Sequence, residues 1–454
     1  MKYNLENGTV ICKHMKRRLI AIVLIFTAVA GIGLRAQEVP QTLALSVVQA
    51  VEYALDNNRS IAAARYDLLA SEKGEWEALA AGLPSIDASA SLSYNLAIMT
   101  RIIDFGGTPT PFKFGTNYDA SVGASLSTVV FNAPWLVGVQ TAKLASTIAK
   151  QGLTQTTLDT KESVKNVYFL ILTLKETMKV IEGNLENLNA ILASTKAMYS
   201  VGMAEATDVD QMQSTVTMLE NSRSSMLRSL EVNHNLLRFL LGVPAATELI
   251  LTDNLDEITS KIDVDALLAD DFRIEDNINF QLIESQLALS ELALKSAKAS
   301  TLPSLAGTIY YNRTGMGDEL KHMQYFPYSA VALQLQIPIF SSGLRSAKIN
   351  KAKINLEKSM NTKSMVSEQL LMQERQLRYS LINANEQFKS QKANIEIAGR
   401  VLESFRNKYD QGMASSLDLT QANNNYLTAQ NNYISALMTL LQTKVEFDKL
   451  MNKL

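Results

Sequence analysis

The sequence predicts an α+β membrane protein, mostly helical, made of two internal repeats with four β-strands per chain. Three observations lead there. The motif Tyr199-Ser200-Val201-Gly202-Met203-Ala204, followed by Asp208 and Gln211, returns as Tyr409-Asp410-Gln411-Gly412-Met413-Ala414, followed by Asp418 and Gln421. Apolar residues spaced by sevens precede both copies in the same phase: Val164, Ile171, Met178, Leu185 and Leu192 before the first, Leu381, Phe388, Ile395 and Leu402 before the second. That is the pattern of two helical hairpins whose arms lie in coiled coils. Outside the helical runs, long stretches alternate apolar and Ser-rich positions strictly, as strands do when one face meets lipid and the other water. A soluble sheet is the alternative for these strands alone.

The first 36 residues read as an export signal behind a short extension. Lys16, Arg17 and Arg18 form a basic segment, Leu19 to Leu34 an apolar one, and Ala36 a cleavage position. A membrane anchor is the competing reading, but about 16 apolar residues are short for a span. Met15 is a candidate start. Removing 1–36 removes six Lys or Arg and one Glu, taking the net charge from −2 to about −7, and removes the only cysteine, Cys12. The mature chain is then exported and without disulfides or thiolate sites. Its charge balance argues against a nucleic-acid role.

The first repeat spans 37–244. Residues 42–82 read as helical with a break at Asn57-Asn58-Arg59, ending at Gly82 before Pro84. A hairpin follows over 86–131. Ile86, Ala88, Ala90, Leu92 and Tyr94 oppose Asp87, Ser89, Ser91 and Ser93. A Gly/Pro-rich loop then covers Thr100 to Thr116, and Tyr118 to Leu126 resumes the alternation. A long helix is predicted over 135–199, about 65 residues or roughly 98 Å, and a return helix over 207–241 closed by Gly242-Val243-Pro244. The acidic stretch 245–276 reads as a solvated connector with short helices; a metal-binding loop is the alternative, but its spacing fits no calcium-loop pattern.

The second repeat, 277–454, runs through the same order. A helix ends near Ala299. Leu302-Pro303-Ser304-Leu305 echoes Leu83-Pro84-Ser85-Ile86, and a hairpin covers 304–340 with a loop from Thr314 to Gln324. A long helix follows over 344–409 and a return helix over 415–452. Two lengths agree: helices over about 46–81 and 207–241 together make roughly 107 Å, nearly one long helix. Two short helices end to end would lie beside each long one. Four strands cannot close a membrane barrel and an open edge in lipid is not allowed, so the barrel must be shared, as eight strands from two chains or twelve from three.

Together these features make the chain resemble the TolC-type outer-membrane efflux proteins over essentially its whole mature length. The resemblance rests on the repeat, the two Leu-Pro-Ser openings, Ile337-Pro338-Ile339-Phe340-Ser341-Ser342-Gly343-Leu344-Arg345, and the Val-Gly-Met and Gln-Gly-Met turns with Asp208 and Asp418 downstream. It implies a homotrimer in the outer membrane of a Gram-negative bacterium. Twelve strands would form one shared antiparallel β-barrel in outer-membrane lipid, and a long α-helical coiled-coil barrel would hang into the periplasm, with 245–276 in an equatorial belt. The partners it implies are a periplasmic adaptor docking at the tip and an inner-membrane transporter that supplies the energy.

The resemblance also assigns candidate sites. Val201, Gly202, Met203, Gly412 and Met413 match the adaptor-docking turns; the bland alternative is that both glycines only permit positive φ. Asp418 matches an acid ringing the tube entrance, where three copies favour cations. The second entrance acid falls at Gln421 and the gate-locking Arg at Ala414, so the ring is weaker and that link absent. Asp208 is the first-repeat counterpart, and for both Asp residues capping of the following helix competes. Met residues on the seams (Met178, Met212, Met226) suit core filling better than copper or silver traffic. His234 and His322 belong to no ligand motif, and no phosphate loop, zinc pair or nucleophile elbow appears. No enzyme activity, cofactor or metal site is therefore expected. An exported coiled-coil adhesin or scaffold, and an exported enzyme with helical arms, are the rivals to a passive export duct; cargo is open.

Overall fold

The computed structural model describes residues 42–454, so the export segment 1–36 lies outside the described residues. Two helices dominate: α3 (Ala133–Ser200), 68 residues, and α8 (Leu344–Asp410), 67 residues, each roughly 100 Å long. Return helices α4 (Ala206–Leu241) and α9 (Ser416–Leu450) run back beside them. Shorter helices α2 (Arg59–Ala80) and α7 (Ile278–Ala299) pack against the opposite ends of the long ones. No described helix is long and apolar enough to cross a membrane.

The short and return helices are spliced end to end by asparagine. Asn58 caps α2, accepting from Ser60 N and Ile61 N, while its Nδ2 donates to Leu240 O at the end of α4, 2.7 Å. Asn277 does the same for α7, accepting from Asn279 N and Phe280 N and donating to Leu450 O of α9, 3.0 Å. Both side chains are buried. Each therefore satisfies orphan donors of one helix and an orphan carbonyl of another, where water cannot. At the first splice Gly242 adopts φ +73, and a Cβ there would lie 2.2 Å from Asn57 O, so only glycine fits.

The resulting columns and long helices form a row: α4 with α2, then α3, then α9 with α7, then α8. The heptad positions fill the seams. Val164, Ile171, Met178, Ile181, Leu188 and Leu192 are buried on α3 against Met212, Val216 and Leu219 of α4 lower down. Leu377, Leu381 and Ala384 of α8 are buried with Leu440 and Phe447 of α9. The row ends at α8 on one side and at α2/α4 on the other. Both ends carry exposed apolar side chains, among them Met372 and Tyr379 on α8, Tyr66 and Trp76 on α2, and Phe239 on α4.

A small belt crosses the row at mid-height. Residues 42–45, expected to be helical, are instead strand β1 (Thr42–Leu45), paired in parallel with β6 (Glu248–Leu251) of the connector. Ser46 ends the strand by capping α1 (Val47–Asn57) in a reciprocal bond with Gln49. A four-residue strand whose partner lies in a distant part of the chain leaves no local periodic signal, which is why it reads as helix. The connector continues through α5 (Leu255–Ser260) and α6 (Val264–Leu268). Buried Tyr168 ties the belt to α3, donating its hydroxyl to Leu45 O at 2.9 Å.

At the far end from the hairpin turns, four strands form one antiparallel sheet in the order β2 (Ser85–Tyr94), β5 (Tyr118–Phe131), β7 (Ser304–Gly317) and β8 (Gln324–Gln336). Its register puts Ile86, Ala90, Leu92, Val122, Leu126, Ile309, Val331 and Leu333 on one face, and Asp87, Ser89, Ser91, Ser121, Ser125, Thr308, Asn312, Gln334 and Gln336 on the other. The apolar face is bare: Ile86 is 77% exposed and Val331 75%. In the four-stranded sheet, β2 and β8 each lack a neighbour on their outer side.

The sheet corrects two loop boundaries. The Gly/Pro-rich stretch is a hairpin of its own, β3 (Met99–Phe105) with β4 (Thr108–Phe114), turned by Gly106 and Gly107 at φ +68 and +94. Pro109 and Pro111 are tolerated because β4 is an edge with no ladder on its other side. Strand β7 also runs through Thr314 and Gly315 to Gly317, shortening the expected loop. On the other side β8 ends at Gln336, before Pro338, which has no N–H to donate.

Replacing Asn58 or Asn277 by Ala should each cost about 1–2 kcal/mol, because a cap and a buried carbonyl partner are lost together. The apparent thermal midpoint of the extracted protein should fall for each. The two losses should add, as the residues sit in different columns. Unchanged midpoints would remove the splice from the stability account.

Candidate functional site at the helical turns

The end of the row opposite the sheet is made by two turns of identical construction. In the first, Gly202 sits at φ +75, its N–H reaches Tyr199 O at 3.0 Å, and Met203 N–H reaches Met198 O at 2.8 Å. In the second, Gly412 sits at φ +72, its N–H reaches Tyr409 O at 2.9 Å, and Met413 N–H reaches Lys408 O at 2.8 Å. These paired bonds satisfy the last carbonyls of each long helix and require the left-handed residue that glycine supplies. Beside both glycines there is open space, so the need is conformational and not steric. The structure thus accounts for Gly202 and Gly412 as turn formers. Around them Val201, Met203 and Met413 stand in solvent, 67–79% exposed. They are the exposed apolar side chains of the two turns.

After each turn an aspartate closes the next helix. Asp418 Oδ2 accepts from Ser415 N at 3.0 Å and from the Ser415 hydroxyl at 2.7 Å, while Asp418 N–H donates back to Ser415 Oγ. The carboxyl is exposed, and the bonds from the Ser415 hydroxyl and then its backbone N–H hold it below the usual carboxylate range. Asp208 Oδ2 accepts from Glu205 N at 3.1 Å in the same way, and its Oδ1 accepts from Ser416 Oγ of the other hairpin at 3.3 Å. Asp208 therefore also links the two hairpins, helped one turn up by Thr195 Oγ1 against Tyr409 OH at 3.4 Å. Gln421 is exposed and bonds only to Asn425 of its own helix. Ala414 offers no side-chain link. Capping and exposure coexist at Asp418: Oδ2 accepts both bonds that hold the helix start, and the charge still faces water.

Ser415 and Ser416 carry this geometry and stood outside the candidates, although Ser415-x-x-Asp418 is legible as a reciprocal cap. The Ser416–Asp208 bond joins residues of different hairpins and has no local signal. Among the described residues no three His, Cys, Asp or Glu lie close enough to hold a metal. Burial, and then nearby Lys175 and Arg238, push the His234 imidazole below its ordinary value, and His322 pairs with Glu319 on an exposed loop.

A bare-faced membrane-type sheet on a row of helices about 100 Å long, with exposed charge and apolar side chains at the other end, fits an outer-membrane protein. The model of the family described as outer membrane efflux protein matches residues 50–243 and 275–453, and the chain belongs to that family. It is accordingly an outer-membrane protein of a family of efflux proteins, not of enzymes. A comparison with curated proteins found no significant match. Among solved structures, the chain is similar to the outer membrane protein VceC of Vibrio cholerae, with TM-score 0.70 and 15% identity over 89% of this chain and 95% of that one. It is similar to the CmeC outer membrane channel of Campylobacter jejuni, with TM-score 0.71 and 16% identity over 90% and 85%. The open-state MtrE outer membrane channel of Neisseria gonorrhoeae gives TM-score 0.71 and 16% identity over 89% and 88%. At such identities the agreement concerns the fold.

Because the Ser415 hydroxyl is the largest cause of the lowered Asp418 ionisation, Ser415→Ala should raise the midpoint of Asp418 toward an ordinary aspartate. The sign follows from linkage: a depressed folded-state value means the cap is fully present above the ordinary range and is lost as pH falls through the lowered one. Carboxyl NMR of aspartate-labelled protein reads the shift directly; an unmoved midpoint would refute the bond.

Proposed function

We propose that this chain is one of three that close into an outer-membrane duct, through which substrates delivered by an inner-membrane transporter leave the cell passively. The observation that carries the reading is the four-stranded sheet with a bare apolar face and two free edges. In lipid every N–H and C=O must be paired, so β8 of one copy must meet β2 of the next until the ring closes. Three copies give twelve strands, and the helix row repeats with the same operator, the exposed apolar side chains of α8 meeting those of the next copy's α2 and α4. The polar sheet face then lines water, and the helices extend the passage across the periplasm. Two independent surfaces ask for the same neighbour.

At the far end Val201, Met203 and Met413 would meet a periplasmic adaptor, which couples the duct to its transporter. Asp418, charged and exposed, would appear three times around the entrance and favour cations. With Gln at 421 and Ala at 414, neither a second acid ring nor an arginine lock reinforces it. Bonds of the Asp208–Ser416 kind then remain to hold the hairpins together at the entrance.

Negative-stain electron microscopy of detergent-extracted protein lacking residues 1–36 should show threefold tubes roughly 140 Å long, from about 100 Å of helix plus a barrel crossing a ~40 Å bilayer. Monomers, or rods with no axial channel, would overturn the duct and favour the coiled-coil adhesin. In planar bilayers Asp418→Asn should lower cation selectivity, and an unchanged reversal potential would remove the entrance ring. Gly202→Pro and Gly412→Pro cannot hold φ near +70, so both should abolish export while trimers persist. Export at the original rate would exclude tip docking.

A further inference from the structure

The apolar face of the sheet carries a single charge. The register aligns Val122, Arg313 and Pro327 across β5, β7 and β8, which puts Arg313 on the same face as Val122, Ile309 and Val331. Every other position of that face is aliphatic, aromatic, Gly, Ala, Pro, Ser or Thr. Arg313 is exposed, and no carboxylate of the described residues lies within salt-bridge distance of it. A guanidinium facing hydrocarbon is strongly disfavoured near the bilayer centre and nearly neutral at the interface, so its depth and its counter-ion decide whether it can exist there.

Its depth is set by the strand. Arg313 lies four residues before the end of β7 at Gly317, which at roughly 3.3 Å per residue and a tilt of about 40° places it about 10 Å below the strand end. The same end bears tyrosines on the same face: Tyr94 and Tyr118, with ring centroids 4.9 Å apart, and Tyr325, whose ring covers Gly315. These amphipathic rings mark where hydrocarbon gives way to headgroups. The next two positions on that face of β7 are Gly315 and Gly317, so no β7 side chain stands between the guanidinium and the headgroup layer. On the other side Tyr311, Ile309 and Leu305 continue the apolar band.

We propose that Arg313, framed by Tyr118, Tyr311 and Tyr325, binds the phosphate of an anionic outer-leaflet lipid. The inference rests on the duct reading, in which this face meets lipid and the β7–β8 loop lies outside the cell. A planar guanidinium grips a phosphate through two parallel N–H···O bonds, and the flexible stem rises along the strand to reach it. The phenol hydroxyls are at hand for further bonds to headgroup oxygens. In a closed trimer the site occurs three times, fixing the height of the barrel in the membrane.

Native mass spectrometry of detergent-extracted trimers tests this with two probes: diphosphorylated lipid A, and the same glycolipid with its phosphates removed. The wild-type protein should retain the phosphorylated form about tenfold more than the other. Arg313→Gln should erase the preference, and Arg313→Lys, which keeps the charge without the fork, should restore part of it. Equal retention of both lipids by wild-type trimers would overturn the proposal without any variant, as would full preference in Arg313→Gln. Displacement by millimolar inorganic phosphate would assign the site to the free ion and overturn the lipid. A protein that forms no trimers and enters no bilayer would instead bring down the duct reading beneath it.

Discussion

Two buried asparagines hold the helical part of this protein to its plan. Asn58 and Asn277 each start a short helix and, with the other end of the same amide, close the carbonyl of a return helix that arrives from the opposite direction. Without that bond each column would end in orphan donors and acceptors at mid-height, inside the belt where no water reaches. With it, two helices of 36 and 22 residues act as one partner for a long helix of 68. The row can then run unbroken from the turns to the sheet, and the belt of β1, β6, α5 and α6 covers the joint and not some weaker place.

The sheet imposes the other constraint. Its two faces are chemically opposite, and its outer strands end in open hydrogen-bonding groups. A soluble protein would cover such an edge or blunt it with charge. Here the edges are hardly blunted: β2 has Ser and Ala along most of its length with Asp87 as its single charge, on the polar face, and β8 has Val, Leu, Tyr and Phe and no charge. The single proline of β8, Pro327, falls near the loop end, where closure demands least.

The turns show the same economy of residues. Gly202 and Gly412 are needed for the backbone, and Asp208 and Asp418 for the helix starts that follow. Those structural roles leave the exposed Val201, Met203 and Met413 and the Asp418 charge free to meet something else. Much of this was legible in advance. The heptads located the buried seams at Val164, Ile171, Leu192 and Leu381, because a coiled coil writes its packing into local spacing. Alternation from Ile86 to Tyr94 gave the apolar and polar faces, since strand geometry is periodic in two. Ser415 was readable from its three-residue distance to Asp418.

By itself the sequence determined the long helices, the four long strands, their order, the glycine turns and the chemical difference between the two sheet faces, all of which depend on neighbours within a few turns or residues. Only the tertiary structure decided that residues 42–45 form a strand with 248–251, that Asn58 and Asn277 splice helices, that Asp208 reaches Ser416 of the other hairpin, and that β5 lies beside β7 to unite the hairpins. Each of these joins positions far apart in the chain, and a bond between distant residues leaves no periodicity in either partner. The lone guanidinium of Arg313 belongs to the same group: within its own strand it is one charged residue among several polar ones, and the register of β5, β7 and β8 makes it the only charge on an apolar wall.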